Sequence, residues 1–347
     1  MRKESAQEGE ADVLARLRRP LFLPVFEPGN PYLTAPDLAE EFGVEGIIVN
    51  AYFLYRQRSL RRALPERGIK DHLGFHGMVM TDSGAFQAFR GRLYLRNRDI
   101  IRFQDEIGAD VISPLDVVTP PGDGFDTAEG KLGVTMDRVA EGLDIVQGGM
   151  LAGVQQGGRF LELRKRAAEG LAELGVRYVA LGSLVPFFTR NHDLEFAARV
   201  IADARRVLPP EVPIHLYGAG DPLELPFYSY LGCDVFDSSA FIHYAEQGAY
   251  MTPYGAVEEG RECGPEFECE CPHCRSAGSD VQGATQALVR HNLWTVLDTV
   301  ERVRRLREED GLATYLEDVL AVHERWFPES ALGESWSKVA IGEGGRG

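Results

Sequence analysis

Leu151-Ala-Gly-Val-Gln-Gln156, then the run from Leu161 to Leu174, then Tyr178-Val-Ala-Leu-Gly-Ser-Leu184 decide the fold. The outer two are short apolar runs of strand length. Between them apolar residues recur at Leu161, Leu163, Ala167, Ala168, Leu171 and Leu174, the spacing of a helix with one buried stripe. The same rhythm extends in both directions. Strands are expected at Leu21–Phe26, Ile47–Tyr52, Met78–Ser83, Val111–Asp116, Ile214–Gly218 and Val235–Ser239, which with the two above make eight. Helix-like stretches at Asp37–Phe42, Asp99–Gly108, Val134–Gln147, Leu194–Val207 and Leu223–Leu231 separate most of them. Eight alternations predict an α/β protein of the (β/α)8 TIM barrel type, with a doubly wound open sheet as the alternative. Residues 1–20 read as an N-terminal extension and 21–255 as the catalytic barrel. Residues 256–330 read as a zinc-binding subdomain with closing helices near Ala284–Arg307 and Ala313–Trp326, and 331–347 as a flexible tail.

Composition narrows the class. The chain has 347 residues, 44% hydrophobic and 26% charged, enough for one large domain and a small appendage. No apolar span or signal peptide is visible, and the five cysteines cluster rather than spread as a disulfide framework, so a cytoplasmic protein without a membrane partner is expected. A net charge of −16 disfavours indiscriminate binding to nucleic acid, which depends on many Lys and Arg displacing phosphate counterions. Two local basic stretches remain: Arg56, Arg58, Arg61, Arg62, Arg67 and Lys70, and Arg90, Arg92, Arg96 and Arg98. Taken alone, each reads as a solvated face.

Cys269-Glu-Cys271-Pro-His-Cys274 holds three of the cysteines, and His291 opens a downstream helical run. Thiolates this close can share one tetrahedral ion, and an imidazole can complete the four N/S ligands of a closed, structural zinc site. The expected cofactor is one structural Zn2+ per chain, held by Cys269, Cys271, Cys274 and His291. His273 is the alternative fourth ligand, disfavoured because Cys274 beside it would crowd the geometry.

Several expected strands end in chemically useful residues. Asp82 opens Asp-Ser-Gly-Ala-Phe-Gln, Asp116 follows Pro-Leu, and Asp237 sits in Val-Phe-Asp-Ser-Ser. Each alone reads as an ordinary helix cap or turn residue. In a barrel, all three would converge on one mouth, which capping does not explain. Two carboxylates flanking a sugar carbon suit glycosyl transfer, one attacking the anomeric carbon and the other moving a proton to and from the leaving group.

Together, Asp82-Ser83-Gly84-Ala85-Phe86-Gln87, Pro114-Leu115-Asp116, Gln156-Gly157-Gly158, Phe236-Asp237-Ser238, Tyr250-Met251-Thr252-Pro253 and the Cys-x-Cys-x-x-Cys and His-Asn-Leu-Trp segments resemble the tRNA-guanine transglycosylase family, and its archaeosine branch most. The resemblance implies a base-exchange pentosyltransferase that replaces guanine in a nucleic acid by a 7-deazaguanine, the 7-cyano form being expected. It implies Asp237 as the nucleophile at C1′ and Asp82 as the general acid/base. It implies Asp116 and Gln156 as readers of the base, Ser83, Gly182, Ser183 and Leu184 as pocket wall, and Phe86 and Tyr217 as the faces between which the base stacks. A homodimer is also implied.

The sequence departs from the family pattern in places. Asp237 is followed by Ser-Ser-Ala-Phe-Ile-His-Tyr rather than the Leu-Pro-Thr-Arg-Asn type run of the bacterial anticodon enzymes, and Ala85 and Ser183 stand where Gly is more usual. The archaeosine enzymes carry further C-terminal domains that grip tRNA, so a separate tRNA-binding subunit is one expectation and DNA is the alternative polymer. A non-catalytic partner subunit is a further alternative, disfavoured by the presence of both Asp82 and Asp237. A metal-dependent hydrolase is disfavoured because three cysteines close the metal site.

Overall fold

The computed structural model describes residues 10–90, 95–188, 191–258, 264–269, 271–274 and 281–343. Nine parallel strands make eight staves: β1 (Leu21–Pro24), β2 (Gly46–Asn50), β3 (Met78–Asp82), β4 (Val111–Ile112), β5 (Met150–Leu151), β6 (Gly153–Gln155), β7 (Val179–Leu181), β8 (Ile214–Leu216) and β9 (Val235–Ser238). β5 and β6 are one stave parted at Ala152. Ala152 N donates to Ile112 O at 2.9 Å on one side and Gly153 N to Tyr178 O at 2.8 Å on the other, so this stave joins the ladder β2-β3-β4-β5 to the ladder β6-β7-β8-β9-β1. The last seam closes where Val25 bridges Ile48 in parallel and Phe26 N donates to Ile48 O at 2.9 Å. An open doubly wound sheet would leave two edges there. The chain is an α/β barrel.

All eight expected strands are present, with ends trimmed by a few residues. The helix expected from Val134 instead spans Phe125–Ile145, because Gly130 and Gly133 interrupt the apolar pattern without interrupting the helix; both face open space. The amino end of the barrel is plugged. Residues 10–16 are helical, and Val13 and Leu17 bury against Leu21, Met78, Met80, Met150 and Tyr178. The carboxyl ends of the strands are left as the open mouth.

After β9 the helix Ala240–Glu246 leads into an antiparallel hairpin, β10 (Tyr250–Thr252) and β11 (Gly255–Val257). The helix Val281–Glu308 then packs along it. Asn292 on that helix accepts from Met251 N at 2.9 Å and donates to Ala249 O and Phe241 O, tying hairpin and barrel helix together. The helix Leu312–Trp326 follows. Residues 331–347, expected as a flexible tail, contain the helix Leu332–Glu343. Its Leu332, Ser335 and Val339 are buried, and Trp336 packs edge-on against Phe227 at 4.9 Å. The Gly-rich last residues hid this apolar face in the sequence. Among the described residues, no helix is long and apolar enough to cross a membrane.

Candidate active site

Parallel strands deliver their last residues to one rim, and three of them deliver carboxylates. Asp82 ends β3 in register with Asn50 at the end of β2, and Asn50 Nδ2 donates to Asp82 Oδ2 at 3.1 Å. Asp237 lies within β9, where its Oδ1 accepts from Gly218 N at 3.1 Å. Asp116 stands in the loop after β4, which is pinned because Leu115 N donates to Asn97 Oδ1 at 2.8 Å. Gln156 follows β6 and donates from Nε2 to Asp116 Oδ2 at 2.6 Å. All four line a cavity of about 440 Å³, together with Asn50, Phe86, Gly182, Ser183 and Tyr217.

The backbone of the rim has strict requirements. Gly182 lies so close to the Gln156 amide that a Cβ there would sit 2.6 Å from Nε2, so a side chain would displace that amide. Ser183 adopts φ 57°, a left-handed conformation that Gly takes without strain, which gives a reason for a glycine preference at this position. Here the serine hydroxyl adds a contact instead, accepting from Thr119 N at 3.0 Å. Phe86 stands at the lip, 59% exposed, and Tyr217 lines the interior with its hydroxyl 3.0 Å from Ser113 Oγ. Ser83 and Leu184, expected in the pocket wall, do not line the cavity: Leu184 packs into the hydrophobic core and Ser83 is wholly buried with its Oγ unbonded.

Burial and crowding set the charge at this mouth. Desolvation pushes Asp82 up to about 7, with the charges of Asp116 and Asp237 adding to the effect and backbone N–H groups of Gly84 and Ser83 opposing it. Burial likewise pushes Asp116 up to about 6 against the stabilising Gln156 hydrogen bond. Among the described residues no Lys or Arg comes within ion-pair distance of Asp82, Asp116 or Asp237. Two carboxyls whose titration is pushed toward neutrality in one cleft are what proton transfer near pH 7 requires.

Behind the rim lies a fully buried arginine. Arg164 donates from Nε to Gly158 O at 3.0 Å and from Nη1 to Gly182 O at 2.7 Å, so one guanidinium braces both loops that carry the Gln156 side of the cavity. His215 on β8 is also wholly buried, its Nε2 2.9 Å from Asp237 Oδ1. Neither was signalled by the sequence. Arg164 reads as one charge on an amphipathic helix, and His215 as a polar residue inside an apolar strand.

On the flank, the Sγ atoms of Cys269, Cys271 and Cys274 lie 3.5, 3.3 and 3.3 Å from His291 Nδ1. All four ligand atoms fall within 4.8 Å of one another, separations suited to the corners of one tetrahedron. His291 Nε2 is 2.8 Å from Met251 O, so its proton is committed there and Nδ1 is left as the ligand atom. Tyr250 stacks on the imidazole at 3.8 Å, fixing its plane. His273 instead stacks on Phe42 at 5.1 Å with Nδ1 3.4 Å from Glu41, directed at a barrel helix. The structure thus selects His291 over His273.

Of the two basic stretches, Arg56, Arg58, Arg61, Arg62 and Arg67 are exposed on the helices Ala51–Arg56 and Arg58–Arg67, which begin directly after the cavity residue Asn50. Arg96 and Arg98 are engaged with Asp99 and Glu141, Arg92 lies outside the described residues, and nothing is described of the Arg90 side chain.

A closed parallel barrel with carboxylates converging on its mouth and, on its flank, a Cys3His group able to hold a metal ion defines the class of the fold and its candidate sites. Residues 7–325 match the family model described as queuine tRNA-ribosyltransferase, and the chain belongs to that family. Curated relatives named tRNA-guanine(15) transglycosylase match it closely. The protein of Methanosarcina acetivorans is 35% identical over 312 residues, covering 88% of this chain and 63% of that one. That of Methanopyrus kandleri is 36% identical over 318 residues, covering 89% and 68%, and that of Pyrococcus furiosus is 31% identical over 321 residues, covering 90% and 54%. The chain spans between about half and two thirds of the length of these relatives.

Proposed function

We propose that this chain is a base-exchange enzyme that removes guanine from a tRNA and installs a 7-deazaguanine, the 7-cyano form, in an archaeosine-type reaction. The observation that carries the reading is the convergence of Asp237 and Asp82 on one cavity that the Asp116–Gln156 pair also lines. In this reading Asp237 attacks C1′ as guanine departs, forming a covalent ester to the sugar, and the incoming base displaces the carboxylate at the same carbon. Asp82 supplies the proton to the departing guanine and receives one from the entering base, a task suited to a carboxyl poised near 7. No ATP or redox partner is needed, because one glycosidic bond replaces another.

Asp116 and Gln156 read the base. A guanine edge would divide their mutual hydrogen bond, its N–H groups going to the carboxylate and its carbonyl accepting from the amide. Phe86 and Tyr217 offer stacking faces, and the target nucleotide must leave its stack to reach them. The exposed arginines beside Asn50 are placed to meet phosphates around the mouth. Cys269, Cys271, Cys274 and His291 hold a structural zinc; metal analysis should give one zinc per chain, and a Cys271→Ala protein that remains folded and fully active would oppose this. A homodimer completes the proposal.

The names of the relatives favour tRNA over DNA. Mass spectrometry of nucleosides from cells with and without the gene tests this. The expected result is a 7-deazaguanine nucleoside lost from tRNA; its loss from DNA alone would move the substrate to DNA, and loss from neither would overturn the function.

A further inference from the structure

Asp237 is attached to the core through one oxygen. Oδ1 accepts from Gly218 N at 3.1 Å and lies 2.9 Å from His215 Nε2, while among the described residues no donor reaches Oδ2. His215 is wholly buried on β8, and its ring is held edge-on by Tyr178 and by Tyr217 at 4.8 Å. Its other nitrogen, Nδ1, is 2.8 Å from the hydroxyl of Tyr178. Tyr178 is itself fully buried, and among the described residues the only other hydrogen-bond partner of its hydroxyl is the sulfur of Met80 at 3.8 Å, a weak acceptor.

These contacts settle the tautomer. The Tyr178 hydroxyl must place its proton, and the strong acceptor within reach is His215 Nδ1. With Nδ1 accepting, the ring proton sits on Nε2 and faces the Asp237 carboxylate. The opposite tautomer would set a nitrogen lone pair against a carboxylate oxygen and leave the phenol donor to a thioether. In this structure the Nε2–H is not aligned with Oδ1, although the distance is already that of a hydrogen bond.

The geometry points to His215 as a positioning residue for Asp237, with Tyr178 as the lock on its tautomer and Oδ2 as the attacking atom. This rests on the reading of Asp237 as the nucleophile. In the first displacement Oδ2–C1′ forms while C1′–N9 of guanine breaks, and the base leaves with the electron pair and takes a proton from Asp82. Oδ1 becomes the ester carbonyl oxygen, held by Gly218 N–H and facing His215 Nε2. In the second displacement the entering base bonds to C1′, its proton passes to Asp82, and the Oδ2–C1′ electrons return to the carboxylate. Charge reappears on the group that faces Nε2–H, so His215 assists the second displacement more than the first.

Kinetics on purified full-length protein tests this, with tRNA and labelled guanine as probes. His215→Phe should lower exchange about 10- to 100-fold, the effect of a charge-assisted hydrogen bond, while KM for guanine changes little. The covalent adduct seen on denaturing gels should accumulate, since its breakdown slows more than its formation. His215→Gln, whose amide nitrogen falls near Nε2, should recover much of the rate, and Tyr178→Phe should show a smaller defect of the same kind. A 15N spectrum of histidine-labelled wild-type protein should show His215 protonated at Nε2, a readout that stands even where a variant fails to fold. An Nδ1-protonated ring, or His215→Phe exchanging at the wild-type rate without adduct accumulation, would overturn the assignment. An active Asp237→Asn protein would instead overturn the reading on which it rests.

Discussion

The two ends of the barrel treat carboxylates in opposite ways. At the amino end Asp110 accepts from Val79 N at 2.7 Å and meets Lys70 at 2.8 Å and Arg16 at 2.9 Å. Asp234 there accepts from Ile214 N at 3.0 Å, with Arg205 and Arg307 at 3.7 and 3.8 Å. At the carboxyl end Asp82, Asp116 and Asp237 crowd one cavity with no cation within ion-pair distance among the described residues. The amino-end acids tie strands and plug together. Those at the mouth have no such ion-pair partner, only the more distant charge of Arg138 opposing the shift at Asp116, and burial pushes two of them toward neutrality. A fold tolerates such an arrangement where chemistry uses it.

If this contrast is right, substitutions at the mouth should cost activity, and those at the amino end should cost stability. The largest loss is expected for Asp237→Asn: exchange of labelled guanine should fall by at least about 10³-fold, because the proposed nucleophile is gone. Guanine binding, measured by calorimetry, should persist through Asp116 and Gln156.

Asp82→Asn should lower exchange on the order of 10² to 10⁴, the contribution of a proton relay. It should also stabilise the fold. Asp82 titrates near 7 in the folded chain against an ordinary 3.8, so the folded state holds the proton more tightly. Wild-type stability from this group is fully present below 3.8 and is lost as pH rises through about 7. The Asn variant escapes that loss. Its advantage in denaturant midpoint should be absent at low pH and complete above neutrality, reaching about 1–3 kcal/mol. An equal advantage at every pH would remove the uncompensated charge from the account.

Asp110→Asn should do the reverse, leaving guanine exchange near wild type while lowering stability by about 1–3 kcal/mol, since Lys70 and Arg16 lose their partner. Both cations are partly exposed, so the lower half of that range is expected. A urea titration at neutral pH measures it.

The pH profile gives the subtlest signal. In the proposed reaction Asp116 accepts from guanine as the carboxylate and Asp82 donates as the acid, so activity should fall on the acid side near 6 and on the alkaline side near 7, as properties of the coupled pair. Asp82→Asn should flatten the alkaline limb of the residual rate.

Much of this was legible in the sequence. Eight strands follow from apolar runs such as Tyr178–Leu184, but the count left an open sheet as the alternative, and closure was decided by the Val25–Ile48 bridge. The Cys3His group was legible because thiolates need close spacing and because Cys274 crowds His273, and the structure adds that it is the His291 imidazole that faces the sulfurs. Convergence of Asp82, Asp116 and Asp237 was an inference from strand ends. The contrast with Asp110 and Asp234 was not legible, because all five acids lie in or near strands and the cations of Asp110 and Asp234 come from distant parts of the chain, such as Arg16 and Arg307. Asn50, Arg164, Tyr178 and His215 were silent for the same reason: each acts through a partner brought near only by the fold.

The most direct test is to denature the wild-type enzyme during turnover on tRNA and locate the covalent bond by peptide mass spectrometry. The account predicts a sugar-linked adduct on the peptide carrying Asp237, absent from Asp237→Asn and released by added 7-deazaguanine. An adduct mapped to Asp82 or Asp116, or full exchange activity in the Asp237→Asn protein, would contradict it.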